Sequence, residues 1–398
     1  MENIDHQRRL ALATTAAALG STVALGSTVA LGSVATLSSG SAVDSATATG
    51  SSTSAARAST MRAYQIGTQQ GSGSLSLIER TAPTPGAGEV VVEMRAAALN
   101  HRDLDILSGR YGGRKPAERV PVGDGAGVIV DIGPGVTAVQ RGERVTAPHF
   151  TLWTDGDYDP AIFAADAGNT RDGWLAERIV LPASSLVRIP ESLSFESAAA
   201  LGAAGITAWA VLETLGRIKA GDTVLTLGTG GVAILTLQIA KMCGARVAIT
   251  SSSDDKLALC RKLGADITVN YRKQPAWHEA VRAANGGRGV DIVVETVGAS
   301  SLSQSLAACA PNARVGLLGA LGGPAPAPPN LGPLILNNVI LKGITSGSRR
   351  NLEDLLRASV ANGLTPHIDR VFAFDESAQA LSYLATGGHV GKIVIRRN

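Results

Sequence analysis

Downstream of Asp222, short apolar runs alternate with longer stretches in which apolar residues recur at helical spacing. Residues 223–227, 245–251, 267–271, 290–297 and 313–319 predict strands, and residues 338–344 can supply a sixth. The intervening segments predict helices: one through Ile234, Leu237, Ile239 and Ala240, then 253–263 capped by Ser253, 276–284 and 301–310. Strands alternating with helices require crossover connections, so residues 186–344 predict a parallel, doubly wound α/β sheet.

Upstream the period changes. Residues 61–66, 75–80, 89–94, 126–132, 144–147 and 175–181 read as strands, broken at Pro85-Gly86, Gly88 and Gly133-Pro134-Gly135. No helical pattern alternates with them, which predicts a small curled β barrel. Residues 150–172 form a long polar segment with Trp153, Asp155, Asp157, Tyr158 and Asp159, expected to be a flap over a substrate cleft. Beyond the sheet come a proline-rich loop (324–333), an amphipathic helix (352–363), strands at 371–374 and 392–395, and a helix between them (376–386). This tail must pack on the barrel. The β domain is then discontinuous, 61–185 completed by 345–398, with a cleft at the junction.

Residues 1–60 do not read as part of a fold. A charge-free tract (10–43) repeats GSTVAL at Gly20 and Gly26, with GSVATL at Gly32. It is long enough to span a bilayer but too diluted by Gly, Ser and Thr for stable membrane insertion. Two readings remain: an Arg8-Arg9 export signal with cleavage after Ala46-Thr-Ala48, or non-native sequence ahead of a start at Met61 in a cytoplasmic protein.

Composition narrows the partners. The chain has 398 residues, 36 basic and 33 acidic, for a net charge of +3 without a long basic block. A nucleic-acid partner is not indicated. Cys243, Cys260 and Cys309 form no C-x-x-C pair, so neither a disulfide framework nor a thiolate zinc site is expected.

Candidate chemistry centres on Gly228-Thr229-Gly230-Gly231-Val232-Ala233, between a predicted strand and a predicted helix. Gly228 permits a tight turn, Gly230 lets backbone N–H groups approach a pyrophosphate, and Ala233 lets the helix lie close on its strand. The end of the second strand selects the nicotinamide. An NAD site usually places a carboxylate there; this chain has Thr250-Ser251-Ser252-Ser253 instead, with Asp254 and Asp255 only in the following helix. Ser251 and Ser252 offer hydroxyls to a 2′-phosphate, and the cofactor is expected to be NADP(H).

In order along the chain, PTPGAGEVVVEM, LNHRDLDILSG, GDGAGVIVDIGPGV, GTGGVA, TSSSDDKLALCRKLGAD and IDRVFAFDESAQALSYLATGGHVGKIVI resemble the medium-chain dehydrogenase/reductase superfamily, from Met61 onward. The branch of zinc-less quinone oxidoreductases and alcohol-dehydrogenase-like proteins is the most similar. The resemblance implies a GroES-like β-barrel catalytic domain beside a Rossmann domain, and a homodimer. It also implies that Lys256 and Tyr271 hold the 2′-phosphate, and that Thr207, Val297, Gly319, Ala320 and Lys392 join the turn in lining the cofactor. In zinc-dependent members the metal ligands match Asn100, Gly123-Asp124 and a position near 203–205; this sequence keeps at most Asp124, so no metal is expected.

Without zinc, alkoxide chemistry becomes hard, whereas a quinone or activated carbonyl or alkene spreads the arriving charge onto its own oxygen. The resemblance therefore points to an NADPH-dependent reductase of such acceptors. The alternatives are an alcohol or aldehyde dehydrogenase and a dinucleotide-binding protein without turnover. Catalytic candidates lie where the family faces the nicotinamide: Asn100 as a donor to substrate oxygen, Asp103 as its orienter and Tyr111 as a neutral proton donor.

Overall fold

The computed structural model describes residues 59–319, 323 and 327–397. Residues 1–58, with the leader repeats, lie outside the described residues, as do Ala320 and most of the proline-rich loop's first half.

The chain opens on β1 (Thr60–Gln65) and β2 (Ser76–Thr81), an antiparallel pair, followed by the long β3 (Glu89–Ala98). A short helix, α1 (His101–Leu107), comes next, then β4 (Asp124–Ile132), β5 (Arg144–Thr146), β6 (Arg178–Pro182) and β7 (Val187–Arg188). The helix corrects the expectation that none interrupts these strands. Its N-terminus is closed by a capping box in which Asp103 accepts from the Asn100 backbone N–H at 2.7 Å. β6 begins later than the apolar pattern suggested. Trp174 and Leu175 instead donate their N–H groups to the carbonyls of Val122 and Pro121, outside any regular ladder.

The crossing segment carries α2 (Phe195–Ala200) and α3 (Ala203–Trp209), the latter continuing into a π-helical turn, Ala210–Leu215. The doubly wound part follows as β8 (Thr223–Leu227), α4 (Gly231–Met242), β9 (Arg246–Ser251), α5 (Asp254–Lys262), β10 (Ile267–Asn270), α6 (Trp277–Ala284), β11 (Val290–Glu295), α7 (Leu302–Ala308), β12 (Cys309–Leu317), α8 (Gly332–Leu336) and β13 (Ile340–Gly343). These six strands pair in parallel in the order β10-β9-β8-β11-β12-β13. Every residue of β8 and β11 is buried, as a strand covered on both faces must be. The order reverses between β8 and β11, and a crevice opens beyond the carboxyl ends of strands at such a switch point.

α9 (Arg349–Ala361) leads back through β14 (Ile368–Ala373) and α10 (Ser377–Ala385) to β15 (Lys392–Arg396). β15 pairs antiparallel with the end of β3, so the last strand enters a seven-stranded sheet ordered β14-β15-β3-β4-β5-β7, with β6 paired to the beginning of β3. Trp174, Met94, Val92 and Ile395 are fully or almost fully buried in the core of this sheet. Gly125 makes room: a Cβ there would lie 2.2 Å from the Trp174 ring.

Candidate active site

Between the two sheets lies a cleft of about 630 Å³. One wall is the turn joining β8 to α4. Gly228 has φ 76°, a conformation that disfavours a side chain, and a Cβ on either Gly228 or Gly230 would meet nothing within 4 Å. The open space therefore lies where the unpaired N–H groups of a twelve-residue helix begin, a cradle that fits the pyrophosphate of a dinucleotide. Thr229, Gly231, Val232, Thr207, Val297 and Gly319 line the same cleft. The loop after β11 is fixed from beneath by Glu295, which is fully buried. Glu295 accepts from Val297 N at 2.9 Å, Gly298 N at 3.0 Å and the Ser301 hydroxyl at 2.8 Å, and from Ser305 as well.

The residues expected at a 2′-phosphate stand apart from this wall. Ser251 is buried and its hydroxyl accepts from Ser253 N, while Ser252 is half-buried. Ser253 caps α5, accepting from Lys256 N. The Lys256 ammonium donates to the carbonyls of Gly387 at 2.6 Å and His389 at 3.2 Å, two residues that do line the cleft. Tyr271 is 42% exposed. Asp254, a possible reader of a ribose, is tied to Asn270 and Lys273. Ala320 lies outside the described residues.

The opposite wall carries the catalytic candidates. Asn100 and Tyr111 line the cleft; Asp103 does not, being fully buried beneath Asn100. Desolvation, opposed by Arg102 and by the Asn100 N–H, raises the Asp103 carboxyl to about 6. Burial also raises the Tyr111 phenol, which keeps it protonated at neutral pH. Lys392 is buried too, behind Asn100, where its ammonium donates to the Leu99 carbonyl and to Asn100 Oδ1, each at 2.7 Å.

Arg102 and His149 complete this wall, and Asp166 supports it from behind. Arg102 lines the cleft, donates to Asp166 at 2.7 Å and to the Ala167 carbonyl at 3.2 Å, and its guanidinium carbon lies 5.1 Å from the centre of the Tyr111 ring. His149 lines it as well, and burial together with Arg102 holds its imidazole well below the ordinary range, hence neutral. Asp166 sits in the long loop expected to be a flap, and that expectation is corrected. No residue of 150–172 is among those lining the cleft. Phe150, Asp166 and Asn169 are buried, and the Trp153 and Thr154 carbonyls accept from Arg349 and Arg350. The loop braces the pocket wall from behind, through the bond from Arg102 to Asp166.

A GroES-like alcohol dehydrogenase domain matches residues 86–191, and a zinc-binding dehydrogenase domain matches residues 231–361. The chain belongs to the medium-chain dehydrogenase/reductase superfamily. It is 38% identical over 317 residues to a zinc-type alcohol dehydrogenase-like protein of Schizosaccharomyces pombe, covering 78% of this chain and 91% of that one. A quinone oxidoreductase of Rattus norvegicus is 30% identical, over 79% of this chain and 90% of its own. Among solved structures, an NAD-dependent alcohol dehydrogenase superposes with a TM-score of 0.77 at 32% identity, over 84% of this chain and 99% of that one. A mycobacterial protein complexed with NADPH superposes with 0.70 at 28% identity, over the same 84% and 99%. The protein is an NAD(P)-dependent oxidoreductase of this superfamily.

Zinc, which one of these family descriptions implies, is poorly matched by the residues present. Asn100 offers an amide and Gly123 no side chain. Both oxygens of Asp124 accept from Ala203 N at 2.9 Å, Oδ2 also accepts from Asn100 Nδ2 at 2.7 Å, and the Lys392 ammonium stands 3.8 Å away. Among the described residues no three His, Cys, Asp or Glu side chains cluster as a metal would need.

Proposed function

We propose that this protein reduces a quinone, or a carbonyl or alkene activated by conjugation, with NADPH and without zinc. The observation that carries this reading is the cleft itself: a glycine turn open toward a helix N-terminus faces a wall of Asn100 and Tyr111, and the family's metal positions hold an amide, a glycine and an already paired carboxylate. When bound, the nicotinamide supplies the hydride. Gly228, Gly230 and the first N–H groups of α4 hold the pyrophosphate, while Thr207, Val297 and Gly319 line the rest of the dinucleotide. Ser251, Ser252, Lys256 and Tyr271 stand near the adenosine 2′-position, where Asp254 is already tied to Asn270 and Lys273. Asn100 donates from its amide to the acceptor oxygen as that oxygen gains charge. Tyr111, neutral at pH 7, holds the proton on its hydroxyl for delivery.

Two surfaces bear on assembly and location. β13 is an edge strand, and beside it Ile335, Leu336 and Ile340 are 78%, 86% and 54% exposed, which supports a homodimer formed edge to edge. Among the described residues no helix is long and apolar enough to cross a membrane.

NADPH consumption measured against quinones, enones and aldehydes, in the presence of a strong chelator, tests the reading. Quinone or enone reduction that survives chelation is the expected result. Turnover that appears only with added zinc and an alcohol would identify an alcohol dehydrogenase, the function named for several relatives. Tight NADPH binding without reduction of any acceptor would indicate a non-catalytic dinucleotide-binding protein.

A further inference from the structure

Two of the positions that match the family's metal ligands, Asn100 and Asp124, close here on a cation that the chain itself supplies. β15 pairs with β3 so that Val394 faces Ala98; two residues further along this antiparallel register, Lys392 comes opposite Asn100. Its stem passes under the dinucleotide turn, where a Cβ on Gly231 would come within 2.8 Å of Lys392 Cδ. Its ammonium lies 2.7 Å from Asn100 Oδ1 and 3.8 Å from Asp124 Oδ2, and Asp124 in turn accepts from Ala203 N. Asn100 and Asp124, the latter fixed by Ala203 N, therefore flank the ammonium of a residue that is 1% exposed.

Burying a charge this deeply is expensive unless it is paired and hydrogen-bonded. The pairing also determines what Asn100 can do. An ammonium only donates and a carboxylate only accepts, so Lys392 fixes Oδ1 on one side and Asp124 fixes Nδ2 on the other. The amide cannot flip. One N–H of Nδ2 is spent on Asp124, which leaves the second as the remaining donor of a side chain that lines the cleft.

We propose that Lys392 takes over the electrostatic task of the missing metal, acting through Asn100: it holds the amide in its donating orientation and polarises it, so that the free N–H stabilises negative charge arriving on the substrate oxygen. Lys392 is thus a positioning residue, because Asn100 and not Lys392 meets the substrate. The inference rests on the hydride-transfer reading above. Hydrogen bonds in a chain strengthen one another in a low-dielectric site, and a preorganised donor is worth most where charge develops.

The test uses Lys392→Met and the charge-balanced pair Asp124→Asn with Lys392→Met, which also removes the Asp124 charge that loses its cation if the single variant fails to fold. Each is compared with the wild type in steady-state reduction of the preferred acceptor, in NADPH binding by fluorescence, and in the 15N–1H signal of the Asn100 side-chain amide. Expected are a kcat lower by about ten- to a hundredfold, KM and NADPH affinity within about threefold, and an upfield shift of the Asn100 amide protons. A purely packing role for Lys392 would leave that amide signal in place. Wild-type kcat in the folded double variant, or an unmoved amide signal, overturns the inference while leaving the hydride-transfer reading intact. Failure of the wild type to reduce any acceptor overturns both.

Discussion

Single residues decide which cofactor is bound and how the site responds to pH. Lys256 bonds to two backbone carbonyls at the cleft rim, neutral acceptors that a 2′-phosphate would outcompete through a charge-assisted bond. Loss of a hydrogen bond to a charged group costs about 1.5 to 3 kcal/mol. Lys256→Ala should accordingly weaken NADPH by roughly ten- to a hundredfold and leave NADH nearly unchanged, as read by fluorescence titration of both. Equal weakening of the two cofactors would instead assign Lys256 to holding the 387–389 segment.

Asp103 supplies a second residue-scale expectation. Its pKa is raised in the folded protein from 3.8 to about 6, so between those values the folded state binds more protons than the unfolded chain. Its contribution to stability therefore falls as pH rises through that window and stays low above it, a cost of about 3 kcal/mol. Asp103→Asn keeps an acceptor for the Asn100 N–H and removes the buried charge. The stability difference between variant and wild type, from denaturant unfolding, should grow in the variant's favour from pH 4 to pH 6 and then level off. A difference independent of pH would mean that the carboxyl titrates normally.

At the scale of elements, legibility in the sequence followed pattern length. β8 occupies the predicted residues 223–227 and α5 is capped by Ser253 as expected, because a run of Val, Leu and Thr and a serine before a charged helix are strong local signals. α1 was missed: seven residues after a ten-residue strand give too little periodicity, and its capping box is visible only once Asn100 and Asp103 are known to meet. α9 starts three residues before its predicted first turn, because Ser348 and Asn351 form a capping box of their own. The loop after β11 shows how an element's end is tuned. Glu295→Gln would set a donor against groups that already donate to Glu295. NADPH affinity should fall about tenfold and the melting temperature should drop with it; unchanged affinity would show that the loop is held by other contacts.

For the whole molecule, the two-sheet plan and the cleft between them were readable from the change in hydrophobic period near residue 186. The second wall of the cleft was readable only in part. Asn100, Arg102 and Tyr111 share one segment, but His149, Asp166 and Lys392 reach them through tertiary pairing that no local pattern announces. Assembly is the property best tested at this scale. Replacing Ile335 and Leu336, both highly exposed, by aspartate should convert a dimer to a monomer in light scattering with the melting profile of the fold retained. A wild-type protein that is already monomeric at micromolar concentration would remove the edge-to-edge arrangement.

The bond between Lys392 and the Leu99 carbonyl spans 293 positions of sequence. During synthesis the end of β3, residues 96–98, must therefore wait for β15 while the whole dinucleotide sheet is translated and has time to form by its more local strand pairings. The nucleotide-binding half can be assembled on the ribosome well before the substrate pocket acquires its buried ammonium. A nascent chain halted between β13 and β15 would carry a cradle for the cofactor but no ammonium behind Asn100, and could hold a dinucleotide before it could use one.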